Sequence, residues 1–187
     1  IIAVSQSTKQ SLVKKHIPAE NITIVKNGVA LPDIERQTEC SVPSILFLGG
    51  LETYKGADRL PQIHQRAENL FEDQIRLDIA GRTGEVGDVI NDYCEQNESA
   101  FFHGFVSETV KNELLQKTWI LVLPSRVEGY GIVVIEANAF GTPAIGTDVK
   151  GLRDSIKDRE TGLLVEEDVA EIAKKIVQLL EHNQLRS

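Results

Sequence analysis

The sequence predicts an α/β fold built on a doubly wound parallel sheet of about six strands, and three observations carry that prediction. From Ser44 onward, short apolar runs that stop at glycine alternate with stretches of helical periodicity. The gaps between successive runs are long enough for a helix, which is the crossover that parallel strands need. Length narrows the choice further. At 187 residues and 41% hydrophobic composition the chain can build one good core, burying roughly 70% of its unfolded surface, whereas an eight-fold β/α barrel needs roughly 250 residues. A Rossmann-like domain fits, and the alternation with helices argues against a sandwich of hairpins.

Taken in order, Ile1–Ser5 reads as a short buried strand and Ser7–His16 as a helix entered through hydroxyl residues and ended by Pro18. Ile22–Val25 is a second β run, followed by the Asn27-Gly28 turn signal. The polar tract from Pro32 to Pro43 has little periodicity and reads as a linker, so a boundary is placed between residues 1–30 and 31–187. Ile45–Leu48 is a strand ending in Gly49-Gly50, and Gly56–Phe71 a helix with Leu60, Ile63, Ala67 and Leu70 spaced for one buried face. Ile75–Ala80 is a strand, Val86–Asn97 a helix, Ala100–His103 a strand, and Glu108–Gln116 a helix with Ser107 as its N-cap. Trp119–Leu123 is a strand stopped by Pro124. A polar turn carries Glu128, a helical pattern containing Glu136 ends at Gly141, and a strand follows toward Gly146. Leu152–Ile156 reads as a short helix, Gly162–Val165 as the last strand and Val169–Leu180 as an amphipathic helix.

Composition excludes several classes of partner. A net charge of -8 and a pI near 5.1, with scattered Lys and Arg, argue against a nucleic-acid or anionic-membrane surface. Cys40 and Cys94 form neither a CxxC nor a Cys/His cluster, so no metal site is expected and both read as reduced thiols of a cytoplasmic protein. No apolar run is long enough to span a bilayer. The chain opens in mid-strand at Ile1 and contains no Met, which reads as a piece of a longer protein.

The chemistry concentrates between Trp119 and Gly146. In an open α/β sheet, ligands bind where a strand's carboxyl end feeds the next helix. Glu128 stands in that turn, where its carboxylate can accept hydrogen bonds from sugar hydroxyls or cap its own helix. Gly129, Tyr130, Gly131 and Ile132 would present backbone amides to an anion, and the glycines let a phosphate approach closely. Glu136 lies among Ile132, Val133, Val134, Ile135 and Ala137, so its carboxylate needs a dedicated partner: a ribose diol, or a Lys or Arg. Gly81-Arg82-Thr83-Gly84 is either a nucleotide-edge loop or an ordinary turn, and His16, His64 and His182 read as surface residues.

Glu128-Gly129-Tyr130-Gly131-Ile132-Val133-Val134-Ile135-Glu136, followed by Gly141-Thr142-Pro143, resembles the signature of retaining glycosyltransferase family 4 (group 1), whose hallmark is Glu-x7-Glu. Asn27-Gly28-Val29, Phe47-Leu48-Gly49 with Lys55-Gly56, and Asp158 to Val165 resemble further segments of that family in the right order. The resemblance implies one lobe of a two-domain GT-B enzyme: the C-terminal, donor-binding domain, preceded at residues 1–30 by the end of the N-terminal domain. Glu128 would bind hydroxyls of the donor sugar, the amides from Gly129 to Ile132 the diphosphate, and Glu136 the ribose. Lys55 would neutralise the leaving diphosphate, and the base would lie against Phe105 and Val106.

The expected substrate is a nucleoside-diphosphate sugar, with no cofactor and no metal. A sugar or lipid-linked acceptor would be held by the N-terminal domain, through which a cytoplasmic enzyme could touch the inner membrane face. Transfer would retain configuration by an oxocarbenium-like path in which the two carboxylates do not act as a glycosidase pair.

One departure stands out. Gly50 occupies the position where the family carries an arginine beside Lys55, and Arg82 and Arg126, the nearby candidates to replace it, read as solvent-facing. Asp154 stands where the family often has Glu. An alternative reading is therefore a non-catalytic nucleotide-sugar sensor or a degenerate lobe. An unrelated NAD-binding domain is disfavoured by the lack of GxGxxG in the first unit.

Overall fold

A computed structural model of the chain describes residues 1–30 and 40–182. Most of the expected linker, from Pro32, lies outside the described residues. Two short parallel strands, β1 (Ile2–Ala3) and β2 (Thr23–Ile24), flank the helix α1 (Gln6–Lys14). Ser5 caps α1, its side chain accepting from the Thr8 amide. The remaining chain forms β3 (Ser44–Leu48), α2 (Leu60–Phe71), β4 (Arg76–Ala80), α3 (Gly87–Gln96), β5 (Ala100–Phe102), α4 (Glu108–Lys117), β6 (Ile120–Leu123), α5 (Ile132–Ala139), β7 (Ala144–Thr147), α6 (Lys150–Ser155), β8 (Gly162–Val165) and α7 (Val169–Glu181).

Six strands make one all-parallel sheet in the order β5-β4-β3-β6-β7-β8. The chain starts in the middle, builds outward to β5, then crosses back to β6 and builds the other half. That is the doubly wound order expected from the alternation. β3 is buried along its whole length, as a central strand covered on both faces must be. The apolar core runs from Ile45 and Phe47 through Leu77, Ile79, Leu121 and Ile145 to Ile172 and Ile176. Helix α7 returns from the far edge to pack on α2, while α4 packs against α5 and α5 against α6.

The element order follows the sequence reading, with departures around α2. The expected helix from Gly56 opens instead as two 3-10 turns and becomes α-helical at Leu60, because Gly56 is left-handed (φ 73). Leu60, Ile63 and Ala67 are buried but Leu70 is half exposed. His64, expected at the surface, is fully buried. Its Nε2 donates to the Ile75 carbonyl, which leaves Nδ1 to accept from the Tyr93 hydroxyl at 2.8 Å. That network ties α2 to α3 and to the start of β4. Burial pushes the Tyr93 phenol well above its ordinary value, so it remains a donor.

The N-terminal unit is joined to the large sheet through α1 and α6, where the Ser7 hydroxyl donates to Asp154. Cys40 and Cys94 are free thiols. Among the described residues no helix is long and apolar enough to cross a membrane.

Candidate functional site

Because β3 and β6 are neighbours whose onward connections leave in opposite directions, their carboxyl ends form the topological switch point of the sheet. The loops leaving them are tied together. The Tyr54 carbonyl accepts from the amides of Arg126 (2.9 Å) and Val127 (3.1 Å), and the Ser125 hydroxyl donates to the Lys55 carbonyl. Glycine is required at position 56, where a Cβ would run into the Pro124 carbonyl. This packing brings Lys55 Nζ to 2.7 Å from Glu128 Oε2, joining residues 73 positions apart.

The other Glu128 oxygen accepts from the Gly129 amide at 2.9 Å. Glu128 thus makes the local cap-like bond and the long-range ion pair at once. Gly131 is left-handed (φ 74) and is the N-cap of α5, with no side-chain cap. The Ile132 and Val133 amides that follow have no protein acceptor among the described residues, so the positive end of the helix opens beside Glu128. Tyr130 turns its ring into the core, where burial and the nearby Asp154 charge raise its pKa.

One turn into α5, Glu136 Oε1 accepts from Lys111 Nζ at 2.7 Å. Lys111 comes from α4 and is held also by Glu108, again at 2.7 Å. Burial works against its ammonium, but the hydrogen bonds to Glu108 and Glu136 outweigh burial and hold its pKa above the ordinary lysine value. Lys111 lines a cleft of about 310 Å³ over the carboxyl ends of β3 and β4, together with Gly49, Gly50, Gly81, Arg82 and Phe105. Phe105 is largely exposed, and the Arg82 guanidinium sits 5.2 Å from the centroid of its ring. A larger cavity, about 540 Å³, is lined by Pro143, Thr161, Gly162 and Lys175. It lies at the amino ends of β7 and β8, the opposite end of the sheet from Glu128.

Arg126 does not face solvent freely, contrary to expectation. Its guanidinium makes a two-pronged bond to Asp58, at 2.7 and 2.8 Å, and a third to the Thr53 carbonyl. It anchors the loops and is not available as the replacement cation. His103 donates to Asp78 Oδ1 at 2.7 Å, and Arg76 bonds the same carboxylate. Burial pushes the Asp78 carboxyl up, but the bonds from His103 and Arg76 outweigh it and hold it below the usual range. The pair fixes the turn that leads from β5 to Phe105. Lys111 was not anticipated from the sequence as a site residue. Among the described residues no group of three or more His, Cys, Asp or Glu is arranged to hold a metal.

The chain matches the family model of glycosyl transferases group 1 over residues 36–187. It is 30% identical over 184 residues to an uncharacterized glycosyltransferase of Methanocaldococcus jannaschii, covering 88% of this chain and 46% of that protein. It is 28% identical over 204 residues to the capsular polysaccharide biosynthesis glycosyltransferase CapM of Staphylococcus aureus, covering all of this chain and 53% of that one. The chain therefore spans about half the length of the curated relatives it matches. In structure it superposes on S. aureus TarM, solved with fondaparinux, α-GlcNAc-glycerol and UDP, with a TM-score of 0.85 at 23% identity over 99% of this chain and 37% of that one. The Rossmann-like lobe, the family match and the position of the Glu128 to Glu136 segment at the switch point agree: the chain belongs to the group 1 glycosyl transferases.

Proposed function

We propose that this chain is the donor-binding half of a retaining glycosyltransferase that uses a nucleoside-diphosphate sugar. The observation that carries the reading is the convergence of two carboxylate–lysine pairs, Lys55–Glu128 and Lys111–Glu136, at one end of the sheet beside the opening of α5. Glu128 accepts hydrogen bonds from the donor sugar, Glu136 takes the ribose hydroxyls, and the base rests against Phe105 and Val106. The diphosphate lies against the amides from Gly129 to Ile132. As the glycosidic bond breaks, negative charge grows on the leaving diphosphate. A preorganised ammonium and helix amides stabilise that charge more than the ground state, so Lys55 acts on the barrier and not only on binding. No metal is assigned a part. Residues 1–30 belong to the lobe that would bind the acceptor, and transfer needs that lobe.

The test is a thermal-unfolding screen of this chain with UDP, GDP and ADP and their sugars. One base should raise the midpoint, since a ligand at 100 times its Kd adds about 2.7 kcal/mol. No shift with any of the six classes of compound counts against the reading.

A second reading, a degenerate lobe that binds weakly or not at all, is favoured by Gly50. A Cβ there would touch only Glu52, at an ordinary 3.6 Å, so the backbone at Gly50 does not exclude a side chain. If Gly50→Arg creates nucleotide binding that the wild type lacks, the degenerate reading holds. If the wild type already binds and Gly50→Arg adds little, the donor lobe is functional as it stands.

A further inference from the structure

We infer that Lys111 is the positioning residue for Glu136, holding one carboxylate oxygen so that the other is presented to the ribose diol. The inference rests on the donor-site reading and adds to it a residue outside the Glu-x7-Glu segment. Glu136 lies on α5 and Lys111 on α4, 25 positions earlier, and the two meet because α4 and α5 pack side by side. The geometry is one-sided. Lys111 Nζ engages Oε1 at 2.7 Å, while Oε2 has no hydrogen bond among the described residues. Oε2 is also not a buried orphan, since Arg59 Nη1 is the one buried side-chain nitrogen or oxygen without a partner among those residues. A carboxylate fixed through one oxygen, with the second open to solvent, is the arrangement a diol acceptor needs.

Lys111 is itself fixed. Ser107 caps α4, its hydroxyl accepting from the Val110 amide at 3.3 Å. Lys111 follows one turn later, where Glu108 grips the same ammonium from the i,i+3 position. The lysine therefore reaches α5 already charged and oriented, and it lines the cleft together with Gly50 and Phe105. The other cations at this end of the sheet are engaged differently. Lys55 pairs with Glu128, Arg126 is locked on Asp58, and Arg82 lies over Phe105. Lys111 is the described cation that touches Glu136.

The test compares UDP, GDP and ADP with their 2′,3′-dideoxy forms by calorimetry on the wild type, Lys111→Met, Lys111→Arg and Glu136→Ala. Methionine keeps the aliphatic stem, so the α4–α5 contact survives while the ammonium is lost. The ribonucleotide that binds the wild type should bind Lys111→Met about tenfold more weakly, the scale expected when a charge-assisted bond is removed. Its dideoxy form, which has no diol to present, should bind Lys111→Met and wild type alike. Lys111→Arg should recover most of the loss. An equal loss for both nucleotide forms would mean that Lys111 acts on the phosphates or on the fold, and would overturn the inference. So would an unchanged Lys111→Met beside a weakened Glu136→Ala, which leaves the donor site standing. Absence of any nucleotide binding by the wild type sinks the donor-site reading and this inference together.

Discussion

Removing the two partners of the Lys55–Glu128 pair one at a time should give unequal losses of stability. The pair is short, 2.7 Å, with Lys55 25% and Glu128 11% exposed. A bare Coulomb energy at that distance is about 6 kcal/mol at an effective dielectric of 20, and the cost of desolvating both ions cancels most of it. What remains is set by the group left behind. In Lys55→Met, a largely buried carboxylate keeps only the Gly129 amide, so the expected loss is about 1–3 kcal/mol. In a chain of this size that lowers the melting temperature by roughly 3–9 °C. Glu128→Gln leaves an ammonium on a flexible stem that can turn to water, and should cost about 0–1 kcal/mol. Circular dichroism melts at pH 7 of both single variants and the double variant measure the asymmetry and the coupling. A Glu128→Gln loss as large as that of Lys55→Met would refute the reasoning, as would two variants that melt with the wild type.

Gly151→Ala is expected to weaken nucleotide binding without touching the ligand, because its Cβ would run into the Glu128 carbonyl. The backbone shift should cost about 1–3 kcal/mol in melts, whereas Gly28→Ala, with no atom within 4 Å of the added Cβ, should be silent. Asp78→Asn turns one acceptor into a donor facing Arg76 or His103 and should cost about 1–3 kcal/mol at neutral pH. Because the folded Asp78 carboxyl is held below its ordinary value of 3.8, its stabilisation is present above that pH and is lost as pH falls through the lower, folded value. The gap between wild type and Asp78→Asn should therefore close in acid denaturation below about pH 4, and a gap unchanged at pH 2.5 would contradict the assignment.

The features legible in the sequence were those written locally. Gly162–Val165 is a strand over the range its apolar run marks, and Ser107 caps α4 as its hydroxyl before Glu108 suggested. The Glu-x7-Glu spacing located the switch-point turn because strand, loop and helix follow one another without interruption. Most of the misses involve partners distant in the chain. His64 looked isolated, yet it sits four residues after Leu60 on the buried face, and its partners Tyr93 and Ile75 come from other elements. Helical spacing alone placed Leu70 inward, but α2 ends one residue later and Phe71 takes the core contact. Arg126 finds Asp58 68 positions away. Glu136 was recognised as needing either a diol or a cation. Only the packing of α4 on α5 identified Lys111, and the one-sided bond leaves room for both partners.

The most direct measurement of the central claim is calorimetric titration of this chain and of Glu136→Ala with UDP, GDP and ADP. The donor-lobe account predicts that one of the three binds the wild type and that Glu136→Ala binds it at least tenfold more weakly, about 1.4 kcal/mol, with an unchanged melting temperature. Equal affinity in the two proteins would contradict it.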